Sequence, residues 1–283
     1  CVMYADDTTL LIRNLTAEGV CAAATASLNK ALNYCKTNDL AINPQKTIQI
    51  NFSKKRDTTP SIANVTVENH VKFLGVILDR NLTWTEQVNN VCKKLASGIY
   101  VVRRIKWISN LESAKTAYYS LAETHMRYGL AVWGGSSVGN LNRVLTLQKK
   151  AIRVLADLEP RQSCRHAFQT LQIMTVTALY IQEVIMYAHQ KNLKTGKDLH
   201  HYNTRYATSY TLPIHRTALF EEKPTYIGRK LWNHLPQPLR ELQGNAFKKA
   251  LHDLLVGQPF YTTDEFLNQD WRPQLELNNR SQM

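Results

Sequence analysis

Apolar residues follow two different periods along the chain, and these periods predict short strands followed by longer helices. Residues 47–52 alternate strictly between apolar and polar, which is the pattern of a half-buried strand. From Thr16 to Cys35, apolar residues recur every three or four positions, which predicts an amphipathic helix ending near Asn38. Helical spacing returns repeatedly beyond residue 85. We therefore expect an α+β protein whose strands lie near the start of the chain.

Two further apolar runs predict a second pair of strands. The first extends from Ile62 to Val67, and the second extends from Val71 to Leu78 with Gly75 inside it. Glycine within a strand often marks a close approach by another backbone. The polar, basic segment 54–60 is predicted to be a connecting loop.

Three amphipathic helices are predicted between Trp84 and Pro160. Thr85 can cap the first helix, and Ser109 with Glu112 forms a capping-box pair for the second. The third places apolar residues and a glutamine on its inner face: Leu141, Val144, Leu145, Gln148, Ile152 and Leu155. The first helix carries basic residues outside its apolar face, with Tyr100 and Trp107 nearby: Lys93, Lys94, Arg103 and Arg104. A solvated basic face and a nucleic-acid-binding surface both fit these residues.

The last third of the chain is predicted to be mainly helical, with a looser region from Lys191 to Pro224. A metal site formed by His189, Asp198, His200 and His201 is disfavoured because no zinc-finger spacing accompanies these residues.

Two adjacent carboxylates, Asp6 and Asp7, lie between short strand-like runs at the start of the chain. Neighbouring side chains on one strand point to opposite faces, so both carboxylates can reach one ion only where the chain turns. Such a turn suits Mg²⁺, which proteins hold with one or two carboxylates together with substrate phosphates. The alternative is a polar turn without a metal, since Asp is common in turns.

The string Tyr4-Ala5-Asp6-Asp7 resembles the catalytic hairpin of reverse transcriptases, and the segments after it resemble the second half of that family's palm. Near the other end, several strings resemble the tail of the jockey-like insect group of non-LTR retrotransposons: Tyr202 to Arg205, Tyr226 to Gly228, and Leu231 to Pro236. This resemblance implies a partial palm in residues 1–80, a helical thumb in 81–159 and a helical C-terminal region in 160–283. Arg, Tyr and Trp in the tail suit RNA contact and an aromatic core equally well.

The resemblance also implies roles for individual residues. Asp6 would be the stronger Mg²⁺ ligand and Asp7 the supporting one, and both would be catalytic. Lys46, in a loop with Asn43, would be a catalytic general acid that protonates the leaving pyrophosphate. The primer grip would consist of Lys72, Phe73, Leu74 and Gly75. In this family, the thumb cations Lys93, Lys94, Arg103 and Arg104 would contact nucleic acid.

The implied partners are an RNA template, a DNA primer or target, and deoxynucleoside triphosphates. A net charge of +13 favours a polyanionic partner. The family also uses an upstream aspartate and fingers that these 283 residues lack, so we expect negligible polymerisation by this chain alone. A non-catalytic nucleic-acid-binding remnant is the alternative, and a decayed copy that folds poorly is a third reading.

Composition further limits the class of protein. Five cysteines without a CxxC pair predict reduced thiols in an intracellular protein. No apolar run reaches the ~18 residues of a membrane span, and no signal-peptide pattern opens the sequence. We expect no membrane partner and no secretion, and a nuclear or cytoplasmic ribonucleoprotein location.

Overall fold

The computed structural model describes residues 1–52, 61–191, 193–198 and 207–271. The chain divides into two compact units, Cys1–Glu86 and Gln87–Met283. Three earlier predictions fall at least partly outside the described residues: the connector 54–60, the tail string from Tyr202 to Arg205, and the pair His200 and His201. No disulfide joins the five cysteines, all of which lie among the described residues.

The first unit combines short strands with one long helix. Its described strands form three separate two-stranded sheets. These pair β1 (Val2–Tyr4) with β2 (Asp7–Thr9), β3 (Ile48–Gln49) with β4 (Thr66–Val67), and β5 (His70–Phe73) with β6 (Val76–Asp79). The β3–β4 pair is parallel, and the other two pairs are antiparallel.

Helix α1 (Ala17–Thr37) begins and ends close to where the sequence predicts. The Thr16 hydroxyl accepts a hydrogen bond from the Gly19 amide at 3.0 Å, which satisfies one of the first unpaired N–H groups. At the other end, Asn38 Nδ2 donates to the Tyr34 carbonyl at 2.8 Å. No residue of α1 is buried, so its apolar face is only partly covered.

The prediction of one strand from Val71 to Leu78 is wrong, because this run is a complete hairpin. Strands β5 and β6 pair with each other through Phe73 and Val76, and Leu74 and Gly75 form the two-residue turn. Both turn residues have positive φ, 45° and 85° respectively, as tight hairpin turns require. Leucine rarely adopts this conformation. The turn also lacks the Asn-Gly pair that usually signals a hairpin in sequence, so it was not predicted.

Two related strand predictions also need correction. The segment from Ile62 to Val67 does not pair with the run that follows it, because β4 is hydrogen-bonded to β3. Of the alternating residues 47–52, only Ile48–Gln49 forms a strand. Alternation of apolar and polar residues shows which side chains share a face. It does not show whether a second strand lies at hydrogen-bonding distance, which strand pairing also requires.

The remaining elements are helical and begin with α2 (Thr85–Ile108). They continue as α3 (Leu111–Tyr118), α4 (Thr124–Arg127), α5 (Leu130–Trp133), α6 (Val138–Leu155), α7 (Arg165–Leu171), α8 (Val176–Gln190), α9 (Ala218–Glu221), α10 (Pro224–His234), α11 (Gln237–Arg240), α12 (Gly244–Gly257) and α13 (Thr263–Leu267). A π-helical turn, Tyr119–Glu123, joins α3 to α4. The predicted capping box at Ser109 is wrong: Asn110 is the N-cap of α3, and its side chain accepts from the Ser113 amide at 2.9 Å.

Helix α8 is the centre of the second unit. Helices α4, α5, α6, α10 and α12 all pack on it. Its inner residues are fully buried, including Leu179, Ile181, Val184 and Ile185. The six predicted inward residues of α6 are all buried as well. Residues on both sides of Pro160 thus share one core, while the division into thumb and C-terminal region stays a prediction.

One buried amide joins three parts of this unit. Gln148 on α6 donates from Nε2 to the Tyr118 hydroxyl at 2.8 Å and to the Met174 carbonyl at 2.9 Å. Its Oε1 accepts from the Val176 amide, the first residue of α8, at 2.7 Å. Complete burial raises the pKa of Tyr118 far above its usual value, so the phenol stays neutral.

The tail residues that resemble the jockey-like group form part of this core. Trp232 stacks on His189 with ring centroids 4.7 Å apart, and it also contacts Phe247. Asn233 exchanges two hydrogen bonds of 2.8 Å with the backbone of Tyr210. These contacts favour the aromatic core over RNA contact for this part of the tail.

Among the described residues, no single helix is long and apolar enough to cross a membrane. Helices α7 and α8 reach that length and hydropathy only as a pair, which is bent by 60°. Most residues of α8 are buried inside the protein.

Helix α10 approaches the backbone of α8 closely at a glycine, and this contact predicts a stability effect. A Cβ at Gly228 would lie 2.3 Å from the Val184 carbonyl oxygen, and backbone cannot move away cheaply. We expect Gly228→Ala to lower the free energy of unfolding by about 1–3 kcal/mol, measured by urea denaturation.

Gly139→Ala in α6 is the matched control. Its Cβ would meet nothing closer than 3.9 Å, and alanine favours helix by about 0.5–1 kcal/mol. If both variants unfold at the same urea concentration, the close crossing at Gly228 is incorrect.

Candidate catalytic hairpin and nucleic-acid interface

The two aspartates lie at the tip of the first hairpin. The pairing of β1 with β2 sets Tyr4 opposite Asp7, so Ala5 and Asp6 form the two-residue turn. Ala5 has a φ of 51°, as the first turn position of a tight hairpin requires. Both aspartates are exposed. The predicted turn at the acidic pair is therefore present.

The donor set of this hairpin limits how it can hold a metal. Carboxylate oxygens are ligands that Mg²⁺ prefers. The described part of the chain contains no group of three or more His, Cys, Asp or Glu side chains that could hold a metal ion. Two carboxylates hold Mg²⁺ where waters or substrate phosphates complete the coordination. Asp6 and Asp7 thus fit part of a magnesium site.

Lys46 lies in a turn that is held by the side chain of Asn43. The Asn43 Oδ1 atom accepts from the backbone amides of Gln45, at 3.0 Å, and Lys46, at 3.3 Å. The Asn43 carbonyl also accepts from the Thr47 hydroxyl at 3.0 Å. Asn side chains commonly fix turns in this way. The Lys46 side chain is exposed, so its ammonium group is accessible.

The predicted primer-grip residues form one end of a hairpin. Lys72 and Phe73 end β5, and Leu74 with Gly75 makes the turn. Lys72 is exposed while Phe73 is half-buried, as expected for alternating faces of a strand. The glycine therefore serves the turn itself, and the expectation of a glycine within a strand does not hold.

The basic residues of α2 include two that share a face with two exposed aromatic residues. Lys93, Tyr100, Arg104 and Trp107 follow one another at helical spacing, opposite the buried residues Val91, Leu95 and Val102. Tyr100 is 64% exposed and Trp107 is 74% exposed. The Arg104 guanidinium lies 5.4 Å from the centre of the Trp107 ring. We call these four residues the α2 stripe.

The other two predicted basic residues flank the α2 stripe. Arg103 and Lys94 are exposed on either side of it. Lys94 lies near His125, whose pKa is lowered mainly by burial and further by the Lys94 charge. Lys106, by contrast, is bound to Asp157 at 2.8 Å and contributes to structure.

The structure places the candidate residues on separate elements. Asp6 with Asp7, Lys46, and the segment 72–75 occupy three different turns of the first unit, and the basic residues lie on α2. Tyr100 and Trp107 were expected near the basic residues, but their alignment with Lys93 and Arg104 was not predicted. A rotation of 100° per residue along α2 reveals that alignment from sequence alone.

The chain is similar to polymerases of Drosophila melanogaster transposons. It is 27% identical over 167 residues to the probable RNA-directed DNA polymerase from transposon BS, covering 54% of this chain and 18% of that protein. It is 27% identical over 128 residues to the X-element polymerase, covering 43% of this chain and 14% of that protein. It is 26% identical over 164 residues to the polymerase of the mobile element jockey, covering 53% of this chain and 17% of that protein.

The chain thus matches less than a fifth of the length of each of these curated relatives. No family model matches the chain, and no solved structure matches it.

The turn around Lys46 predicts a local effect of its asparagine. Asn43→Ala removes the side-chain acceptor of the Gln45 amide, which is worth about 1 kcal/mol in comparable caps, while the Lys46 amide keeps the Asn43 carbonyl as an acceptor at 3.2 Å. We expect hydrogen exchange of the Gln45 amide to accelerate about fivefold. Lys46→Ala, in the same turn, is the control and should leave the Gln45 amide unchanged. Equal exchange in all three proteins would contradict the Asn43 turn.

Proposed function

We propose that these residues act within an RNA-directed DNA polymerase of a non-LTR retrotransposon. The observation that carries this proposal is the exposed Asp6-Asp7 hairpin tip in a chain similar to three transposon polymerases. The proposed substrates are an RNA template, a DNA primer or target and deoxynucleoside triphosphates. The proposed location is a ribonucleoprotein in the nucleus, the cytoplasm or both.

The hairpin would contribute to catalysis through its carboxylates. Asp6, in the turn, and Asp7, at the start of β2, would hold Mg²⁺ together with the nucleotide phosphates. Bound there, Mg²⁺ would activate the primer 3′-hydroxyl and neutralise charge on the triphosphate. A turn suits this role because it brings neighbouring side chains to one end of the hairpin, where a substrate has free access.

Lys46 would act on the leaving pyrophosphate, and the β5–β6 turn would act on the primer strand. Lys46 would donate a proton from Nζ to the pyrophosphate oxygen as the bond to the nucleotide phosphorus breaks. Asn43 would be a positioning residue, since it fixes the backbone from which Lys46 projects. Residues 72–75 would hold the primer strand, with the exposed Lys72 facing a phosphate.

The α2 stripe would bind nucleic acid by two mechanisms. Lys93 and Arg104 would neutralise phosphates, which adds affinity through counterion release. Tyr100 and Trp107 offer exposed ring faces on which unpaired bases can stack. Lys94 and Arg103 would extend the positive surface on either side.

A nucleic-acid-binding role without catalysis is the second candidate. The α2 stripe favours it because the stripe needs no residue of the hairpin. The two candidates differ in whether primer extension requires Asp6.

The catalytic proposal predicts the effect of one carboxylate. In a polymerase that contains these residues, Asp6→Asn would keep a good turn residue and remove a metal ligand. Loss of several kcal/mol of charge stabilisation should slow primer extension on RNA at least about 100-fold. Binding of primer–template should change little. Glu18→Gln, an exposed acid on α1, is the control. Retained extension in the Asp6→Asn protein would refute the catalytic role and leave the binding role standing.

The α2 stripe predicts two distinguishable binding defects. Lys93→Ala and Arg104→Ala should each lower affinity for all sequences and reduce the salt-dependence slope by about 1. Trp107→Ala should weaken single-stranded RNA by about 1–3 kcal/mol with little change in that slope. Fluorescence anisotropy at several salt concentrations measures both. Lys248→Ala, an exposed cation on α12, is the control. Equal affinities in all variants would exclude the stripe as an interface.

A further inference from the structure

A cavity of about 210 Å³ lies among three helix junctions of the second unit. It is bordered by the α5–α6 connection, the α9–α10 connection and the start of α13. We call it the Tyr180 pocket. Its apolar wall consists of Val138, Leu141 and Ile227. Its volume exceeds that of an engineered 150 Å³ cavity that admits benzene, so it has room for a small organic group.

Two glycines allow Tyr180 to reach this pocket. A Cβ at Gly134 would lie 2.3 Å from Tyr180 Cδ2, and a Cβ at Gly135 would lie 3.0 Å from its hydroxyl oxygen. Tyr180 is only 2% exposed and it lines the pocket. Its hydroxyl has no hydrogen-bond partner within the described ranges. Burial, and secondarily the nearby Glu222 carboxylate, raises the pKa of Tyr180, so the hydroxyl keeps its proton.

Two further hydroxyls along the pocket are also without partners. The oxygens of Ser136 and Tyr261 are inaccessible to water and make no hydrogen bond to any described residue. Buried polar groups are normally paired, and leaving them unpaired costs free energy. The Tyr180 hydroxyl lines the open pocket, so a ligand bound there would supply its missing partner, whereas the Ser136 and Tyr261 oxygens are closed off from water.

The rim of the pocket carries negative charge in a chain of net charge +13. Glu222 and Asp264 line it, and neither forms an ion pair with another described residue. Burial raises the pKa of Glu222, as expected for a carboxylate without a counter-charge. A third acid, Glu221, is bound to His215 at 2.8 Å.

Nearby cations do not neutralise these acids. Lys149 Nζ and the Arg165 guanidinium lie 3.6 and 4.1 Å from the centre of the Tyr261 ring. Arg165 is paired with Glu265 at 2.6 Å. Both cations lie against the Tyr261 ring, so this ring is already covered by charge from the chain itself.

We propose that the Tyr180 pocket binds an ammonium or guanidinium group carried on a short apolar stem. Glu222 would supply the counter-charge, the Tyr180 hydroxyl oxygen would accept an N–H hydrogen bond, and the apolar wall would contact the stem. The carboxylates disfavour a phosphate. The described residues offer no cluster of three metal-binding side chains, which disfavours a metal ion. This proposal does not rest on the proposed polymerase function.

Titration calorimetry with two cationic probes tests the proposal and separates the sources of the ligand. Agmatine represents a free small amine, and N-acetylarginine methylamide represents an arginine side chain of a peptide. We expect at least one probe to bind the 283-residue chain and to lose about tenfold in affinity in Glu222→Gln. Binding of agmatine alone would identify a free amine, and binding of the blocked arginine would identify a peptide side chain.

Matched controls make the result specific. Glu159→Gln removes an exposed acid elsewhere on the second unit and should bind the probes normally. Tyr180→Phe keeps the ring that fills the space beside Gly134 and should still weaken binding several-fold. The proposal is overturned if neither probe binds, if the uncharged citrulline analogue binds equally well, or if Glu222→Gln has no effect. A nucleotide provides one more test. If guanosine monophosphate displaces a bound probe, and its affinity is the same in Glu222→Gln as in the unchanged chain, the proposal is also overturned.

Discussion

The second unit depends on the buried amide of Gln148, because that one side chain satisfies polar groups from three segments. Its amide nitrogen donates to the Tyr118 hydroxyl and the Met174 carbonyl, and its oxygen accepts from the first amide of α8. Helix α8 in turn supports five other helices. Loss of the Gln148 amide would leave several polar groups buried without partners, each costing about 1–3 kcal/mol. An apolar residue of similar size could fill the space but could not pair those groups.

Close packing on α8 also explains why the tail strings have their particular residues. Gly228 permits α10 to touch the α8 backbone, Trp232 stacks on His189, and Asn233 pairs with the backbone of Tyr210. Each of these residues is needed by the core. The two described strings, Tyr226 to Gly228 and Leu231 to Pro236, therefore serve the core.

Sequence periodicity predicted α6 well because packing on α8 requires a continuous apolar face. The six inward residues of α6 illustrate this, since a helix repeats its face whatever lies opposite. Strand pairing was predicted poorly, because Leu74 adopts a positive φ that leucine rarely takes, and because β4 pairs in parallel with a distant segment. Of the candidate site, the acidic turn was predictable from two adjacent aspartates. The alignment of the α2 stripe required helix geometry, and the Tyr180 pocket required the contacts of two glycines.

The cations of α2 divide into structural and available ones, and this division supports a binding surface. Lys106 lies toward the core side and is bound by Asp157. Lys93 and Arg104 lie on the opposite face, where Arg104 touches only the exposed Trp107 ring among the contacts seen within the described chain. The exposed Trp107 ring leaves apolar surface in contact with water, so covering that ring with a partner is favourable. A partner that offers both phosphates and flat rings would cover that surface and pair with those charges at once. Nucleic acid with unpaired bases has this combination.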